Sequence, residues 1–319
     1  MTHAAAMALV LGAGGCAYHL PALDARVHTL PTRLSEAGLY ADASMTTPSA
    51  ELLAYTPSFE LWSDAASKRR WIRLPPGTAI DATNVDDWSF PVGTELWKEF
   101  SVAGRRIETR LLRRVSADAE GWVGAAYVWN DDQTDALLSI EGEADALGTE
   151  HDVPEARACM TCHGGRASVV LGFSAIQLAH AAVPGEVALD ELVRAQLVSP
   201  PPAPITIAGT PDEIAAVGYL HANCASCHNG ARPPAHDAYR PPDALDLWLT
   251  VASTSDLSTS PTYRTSLGHF VQPGRPDDSA IVQRLRGRVF MGRQMPPIAS
   301  EQRDETGLAL VTRWVSALH

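Results

Sequence analysis

No apolar stretch among these 319 residues reaches the ~18–20 needed to cross a bilayer as a helix. Positive charge is also short. Twenty-five Lys and Arg stand against 37 Asp and Glu, a formal net charge of −12. That balance argues against nucleic-acid or anionic-membrane binding and favours neutral or basic protein partners. Cysteine is scarce, at five residues, and four of the five fall inside two short pentads. What remains, 45% hydrophobic and 19% charged residues, describes a soluble globular chain long enough for two or three compact units.

The pentads are Cys159-Met160-Thr161-Cys162-His163 and Cys224-Ala225-Ser226-Cys227-His228. Two thiols three apart can reach the two vinyl groups of one porphyrin, and the histidine that follows can sit beneath its iron. Zinc ribbons bring their C-x-x-C pairs within about 15–20 residues of each other, whereas 61 residues separate Cys162 from Cys224 here. A thioredoxin-like motif would be single and set in a βαβ pattern, which is absent. Disulfides within the pairs are the remaining alternative. The spacing therefore predicts two covalent c-type haems, held by Cys159, Cys162, Cys224 and Cys227, with His163 and His228 on the irons.

Taken in order, the chain predicts an α+β protein: an antiparallel β-rich N-terminal domain, then a mainly helical dihaem cytochrome c region. Residues 1–16 read as a signal, 17–50 as an extended arm with one short helix, and 51–147 as the β-rich domain. Its strands are marked by alternation around Trp71, in 95–102 and 106–115 about the Gly104 turn, and in 121–129 and 136–140. Ile107, Thr109, Leu111 and Arg113 should share one face, and Glu108, Arg110, Leu112 and Arg114 the other. Trp71, Trp88, Trp97, Trp122 and Trp129 should pack its core, with a carbohydrate platform as the rival reading. Residues 148–205 form the first haem-binding segment, with helices expected over 168–182 and 189–197 and a stiff proline linker at 200–204. In 206–319, Thr210-Pro211-Asp212-Glu213 reads as a capping box opening a helix that runs into Cys224. A last helix over 301–318 should carry Leu308, Val311, Val315 and Leu318 on one stripe.

Three resemblances extend this reading. Leu61-Trp62-Ser63-Asp64, Phe90-Pro91-Val92-Gly93-Thr94, Glu108-Thr109-Arg110-Leu111-Leu112 and Tyr127-Val128-Trp129-Asn130 resemble a bacterial family in which a β-rich half precedes haem-binding pentads. Its members are described only as c-type or dihaem cytochromes, which implies electron transfer and names no substrate. The 206–319 segment resembles class I cytochromes c. There a small and a bulky residue, here Ala216 and Leu220, precede the pentad where the first helix crosses the last, and a Met-Pro loop delivers the distal ligand. That implies Met295, in Gln294-Met295-Pro296-Pro297, as the distal ligand of the second haem, with Met291 its rival. Residues 4–16 resemble a bacterial lipoprotein signal, implying export and lipidation of Cys16. Ala13 nevertheless stands where leucine is usual, and no Lys or Arg precedes the apolar run.

For the first haem the sequence offers His180, His221, His151 and Met160 as distal candidates without choosing among them. The function these readings imply is periplasmic or outer-membrane-anchored electron transfer between unidentified redox proteins. The membrane is touched only through a lipid on Cys16. The alternative is a dihaem enzyme, peroxidase-like, with one five-coordinate iron. Docking of the haems through the β-rich half is a third and weaker idea.

Overall fold

The computed structural model describes residues 24–231, 244–287, 294–297 and 300–319. The expectations placed on Cys16 and Met291 lie outside the described residues. In chain order the elements are β1 (Leu53–Ala54), β2 (Ser67–Arg73), β3 (Ile80–Asp81), β4 (Glu95–Val102), β5 (Arg105–Arg114), β6 (Trp122–Trp129) and β7 (Ala136–Ser139). Then follow α1 (Cys159–His163), α2 (Leu189–Arg194), β8 (Val198–Ser199), α3 (Pro211–Asn223), α4 (Pro261–Ser266), α5 (Ala280–Arg286) and α6 (Glu305–Ala317). Six strands make one antiparallel sheet in the order β1-β2-β4-β5-β6-β7, and β3 pairs with β8 in parallel. The protein is α+β.

The β4–β5 hairpin turns on Ala103 and Gly104, both at positive φ (49° and 80°). Two such residues give a turn whose twist matches the flanking strands. Both faces of the sheet are covered. On one, Trp71, Trp97, Leu111, Tyr127 and Trp129 pack against Val27, Leu34, Leu39 and Met45. Residues 24–50 are therefore not an extended arm. They wrap the sheet through two 3₁₀ turns, Ala25–Thr29 and Leu34–Glu36, and such irregular backbone spaces apolar residues with no period to read.

The opposite face buries Ile72, Leu96, Leu112 and Trp122 against Val169, Phe173 and Leu178. The helix expected over 168–182 does not form, and these residues run as loop and turn. Gly172 sits at φ +79°, outside the helical region, and the apolar side chains plug into the sheet. All five tryptophans named above are only 1–5% exposed, so these five form core and not a solvent-facing platform. They divide between the two faces. Ile107 packs with Ala126 and Val153 and not with Leu111. The register slips between Phe100 and Ser101, and a bulge there re-aims the side chain.

In the C-terminal half the capping box at α3 is formed. Glu213 N donates to Thr210 Oγ1 and Thr210 N to Glu213 Oε2, each at 3.3 Å. Ala216, Val217 and Leu220 of α3 share a core with Val311, Trp314 and Val315 of α6. The crossing is close. A Cβ on Gly307 would lie 2.4 Å from the Tyr219 ring, and Phe59, from the loop after β1, comes as near to α3, 2.1 Å from where a Cβ on Gly218 would stand. α6 starts at Glu305 and not at 301, with Asp304 as its cap, because residues 301 and 302 are otherwise engaged. Their backbone N–H groups donate to Asp64 at 3.0 and 2.9 Å. Trp62 Nε1 donates to Gln302 O at 3.2 Å, and Trp62 N to Asn223 Oδ1 at 2.7 Å. The Leu61-Trp62-Ser63-Asp64 run is thus a clasp that ties the sheet to the ends of α3 and α6.

Candidate cofactor cavity

Each pentad is placed by a short turn. α1 is the first pentad itself. Positions i, i+3 and i+4 of a helix share a face, so Cys159, Cys162 and His163 project to one side. Its approach to the sheet depends on Gly124 of β6, where a Cβ would stand 3.3 Å from that of Cys159. The second pentad closes α3. Cys224 is the cap, and Cys227 N and His228 N both donate back to its carbonyl, at 3.1 and 2.9 Å.

The two turns touch. A Cβ on Gly165 would lie 1.7 Å from the Ser226 carbonyl oxygen. Asn229 Nδ2 donates to Gly165 O at 3.1 Å and to Ala225 O at 2.8 Å, joining one turn to the other. The Cys162 and Cys227 thiols hydrogen-bond to each other, and all four cysteines are free of disulfides. Both pentads, together with Met295, line a single cavity of about 430 Å³. Seven of the eight predicted site residues are therefore brought together. The eighth, Cys16, lies outside the described residues.

Side-chain chemistry separates the rival occupants. Among the described residues no three His, Cys, Asp or Glu side chains gather closely enough to hold a metal ion. Burial pushes Cys159 up to about 11 and Cys224 up to about 12. Cys162 is also raised well above the ordinary thiol value, by the Cys227 hydrogen bond and by burial. Reactive redox thiols need the opposite shift. His163 is held neutral, its pKa lowered to about 4 chiefly by burial. Its Nδ1 faces Val169 O at 2.8 Å. A carbonyl there fixes the proton on Nδ1 and leaves the Nε2 lone pair to an axial metal. That is the tautomer a haem iron requires.

The distal candidates are narrowed by their own partners. Both ring nitrogens of His180 face carbonyls, of Ala181 at 2.9 Å and Thr56 at 2.8 Å. His221 Nδ1 accepts from Leu249 N at 3.1 Å, which puts its proton on Nε2. His151 Nε2 is bound to Glu108 at 2.8 Å, and Met160 packs into the apolar core beneath the sheet. None of the three histidines presents a bare Nε2 lone pair.

No family profile, curated protein or solved structure matches this chain. The site's character therefore rests on its own residues. Sequence reasoning missed Arg166, which follows the first pentad. It pairs with Asp87, with Nε at 3.1 Å from Oδ1, and lies 4.4 Å over the Trp248 ring. Trp248 in turn meets His221 edge-on at 4.6 Å. This chain of contacts braces one pentad against the other, and Arg166-Trp248 carries no local pattern that reveals it.

Proposed function

We propose that the protein is an exported dihaem c-type cytochrome that passes electrons between periplasmic or cell-surface redox proteins. Cys159 and Cys162 would hold one haem and Cys224 and Cys227 the other, with His163 and His228 as proximal ligands. Bound haem would supply one-electron iron redox chemistry, with a potential set by axial ligand, hydrogen bonding and burial. The observation that carries the reading is the convergence of both pentads on one cavity, with neutral His163 anchored through Nδ1 to Val169. Val169 O would hold the His163 ring in position to offer Nε2 to the iron. The backbone contact at Gly165 and Ser226 keeps the two attachment turns at fixed separation. Such a placement suits rapid exchange between two centres. The α3–α6 crossing with Ala216 and Leu220 supports a class I-like arrangement for the C-terminal part.

The test is a pyridine haemochrome assay combined with intact mass, on protein matured with the c-haem attachment machinery. Two haems per chain are expected, and one each for the Cys159→Ala/Cys162→Ala and Cys224→Ala/Cys227→Ala variants. A wild-type chain carrying fewer than two would sink the proposal.

Met295 lines the cavity, and its backbone N–H donates to Arg284 O at 3.2 Å. As a soft thioether ligand it would stabilise ferrous iron. Met295→Ala is expected to lower the midpoint potential of one haem and to add a high-spin ferric EPR signal. Unchanged low-spin spectra would remove Met295 from the iron. The peroxidase-like alternative predicts high-spin ferric iron in the wild-type protein, together with turnover of peroxide.

A further inference from the structure

Three cations stand side by side across the face of the sheet that looks into the cavity. In the strand register Arg70 of β2 lies opposite Lys98 of β4, and Lys98 lies opposite Arg110 of β5. Directly opposed residues have Cβ atoms about 4.5–5.5 Å apart, and like charges so placed repel. All three side chains line the cavity that also holds the pentads. The outer two are partly neutralised, Arg70 by Glu60 at 3.0 Å and Arg110 by Glu108. Lys98 has no carboxylate partner among the described residues; its ammonium rests 4.8 Å over the Phe100 ring. Its pKa lies well below the ordinary lysine value, through burial first and then through Arg70 and Arg110. A row of this kind repels itself until something anionic covers it.

We propose that the Arg70–Lys98–Arg110 row is a carboxylate-binding site that completes the cavity. Planar guanidinium groups match carboxylates through paired hydrogen bonds, and an ammonium between them supplies a point charge. Two sources present the chemistry: the propionates of haems held by the pentads, or the carboxylates of a diffusible dianion entering the cavity. The first source rests on the dihaem reading, and the wild-type haem count tests that reading separately.

The informative variants are Lys98→Met, which keeps the length of the side chain, and Arg110→Gln, which keeps hydrogen-bond donors for Glu108. If propionates occupy the row, Lys98→Met retains two covalent haems, lowers the midpoint potential of at least one, and lowers Tm by several degrees. Losing a cation stabilises ferric iron and leaves a carboxylate without its partner. If a diffusible dianion occupies it, calorimetry with malonate, which needs no haem, detects binding to wild-type protein that Lys98→Met and Arg110→Gln weaken at least tenfold. Either result upholds the carboxylate site. A Tm that rises in Lys98→Met, with potentials unchanged and no malonate binding, overturns it, because the row is then only an unrelieved repulsion. A new high-spin ferric signal in Lys98→Met, without a change of potential in Arg110→Gln, also overturns it. That outcome makes Lys98 an iron ligand.

Discussion

Replacing Glu108 with alanine is expected to destabilise the protein by about 3–5 kcal/mol, the usual cost of removing one partner from a buried charge cluster. Glu108 is fully buried. It receives Nε of Arg110 at 2.9 Å and a second guanidinium nitrogen, and it is bound to His151 Nε2 at 2.8 Å. Alanine leaves the Arg110 guanidinium without its counter-charge and His151 Nε2 without its hydrogen-bond partner under the sheet. Glu108→Gln, which keeps one acceptor, should fall between wild type and Glu108→Ala. The same carboxylate makes an acid-sensitive joint. Burial alone would push its pKa up, but Arg110 and His151 outweigh it and hold the group below the ordinary 4.5. A depressed carboxyl contributes stability above the unfolded-state pKa and loses it as the pH falls through the folded one. The loss should begin below about pH 4.5 and be absent in Glu108→Gln. Urea midpoints measured from pH 7 downward decide the matter. Parallel curves for the two proteins would remove Glu108 as the cause.

Gly165→Ala is expected to exceed the roughly 1–3 kcal/mol typical of overpacked sites. The added methyl would stand 1.7 Å from the Ser226 carbonyl oxygen, and that atom is backbone held in a hydrogen-bonded turn, so no rotamer change relieves the clash. Gly230→Ala is the control, since the nearest atom there is a side-chain oxygen of Asp246 at 3.2 Å. The contrast should appear as a large shift in urea midpoint for the first variant and a small one for the second. Equal midpoints would mean that the two turns do not meet.

Much of this was legible in the sequence, for physical reasons that differ by element. β4 and β5 follow from alternation plus the Ala103-Gly104 turn, and α3 from Thr210, Pro211 and Glu213. These signals are local, and the structure keeps them. The pentads and Met295 were legible as motifs, yet nothing local says that they share one cavity. That contact depends on Gly124, Gly165 and Asn229, whose roles exist only in three dimensions. The 168–182 stretch misled because its apolar residues fill a sheet face without a helix. Residues 24–50 misled because 3₁₀ turns erase periodicity. The cation row was hidden by distance in sequence: Arg70, Lys98 and Arg110 become neighbours only through strand register.

The contact between the two pentad turns also imposes an order on biogenesis. Once Gly165 seats on Ser226 and the Cys162 and Cys227 thiols meet, those half-buried sulfurs line the cavity that both pentads share. On the dihaem reading, attachment would meet less obstruction while the two segments are still apart. The Trp62–Asp64 clasp closes only when residues 223 and 301–302 have arrived, so the final lock waits for nearly the whole chain. On the dihaem reading, attachment would therefore precede this closure.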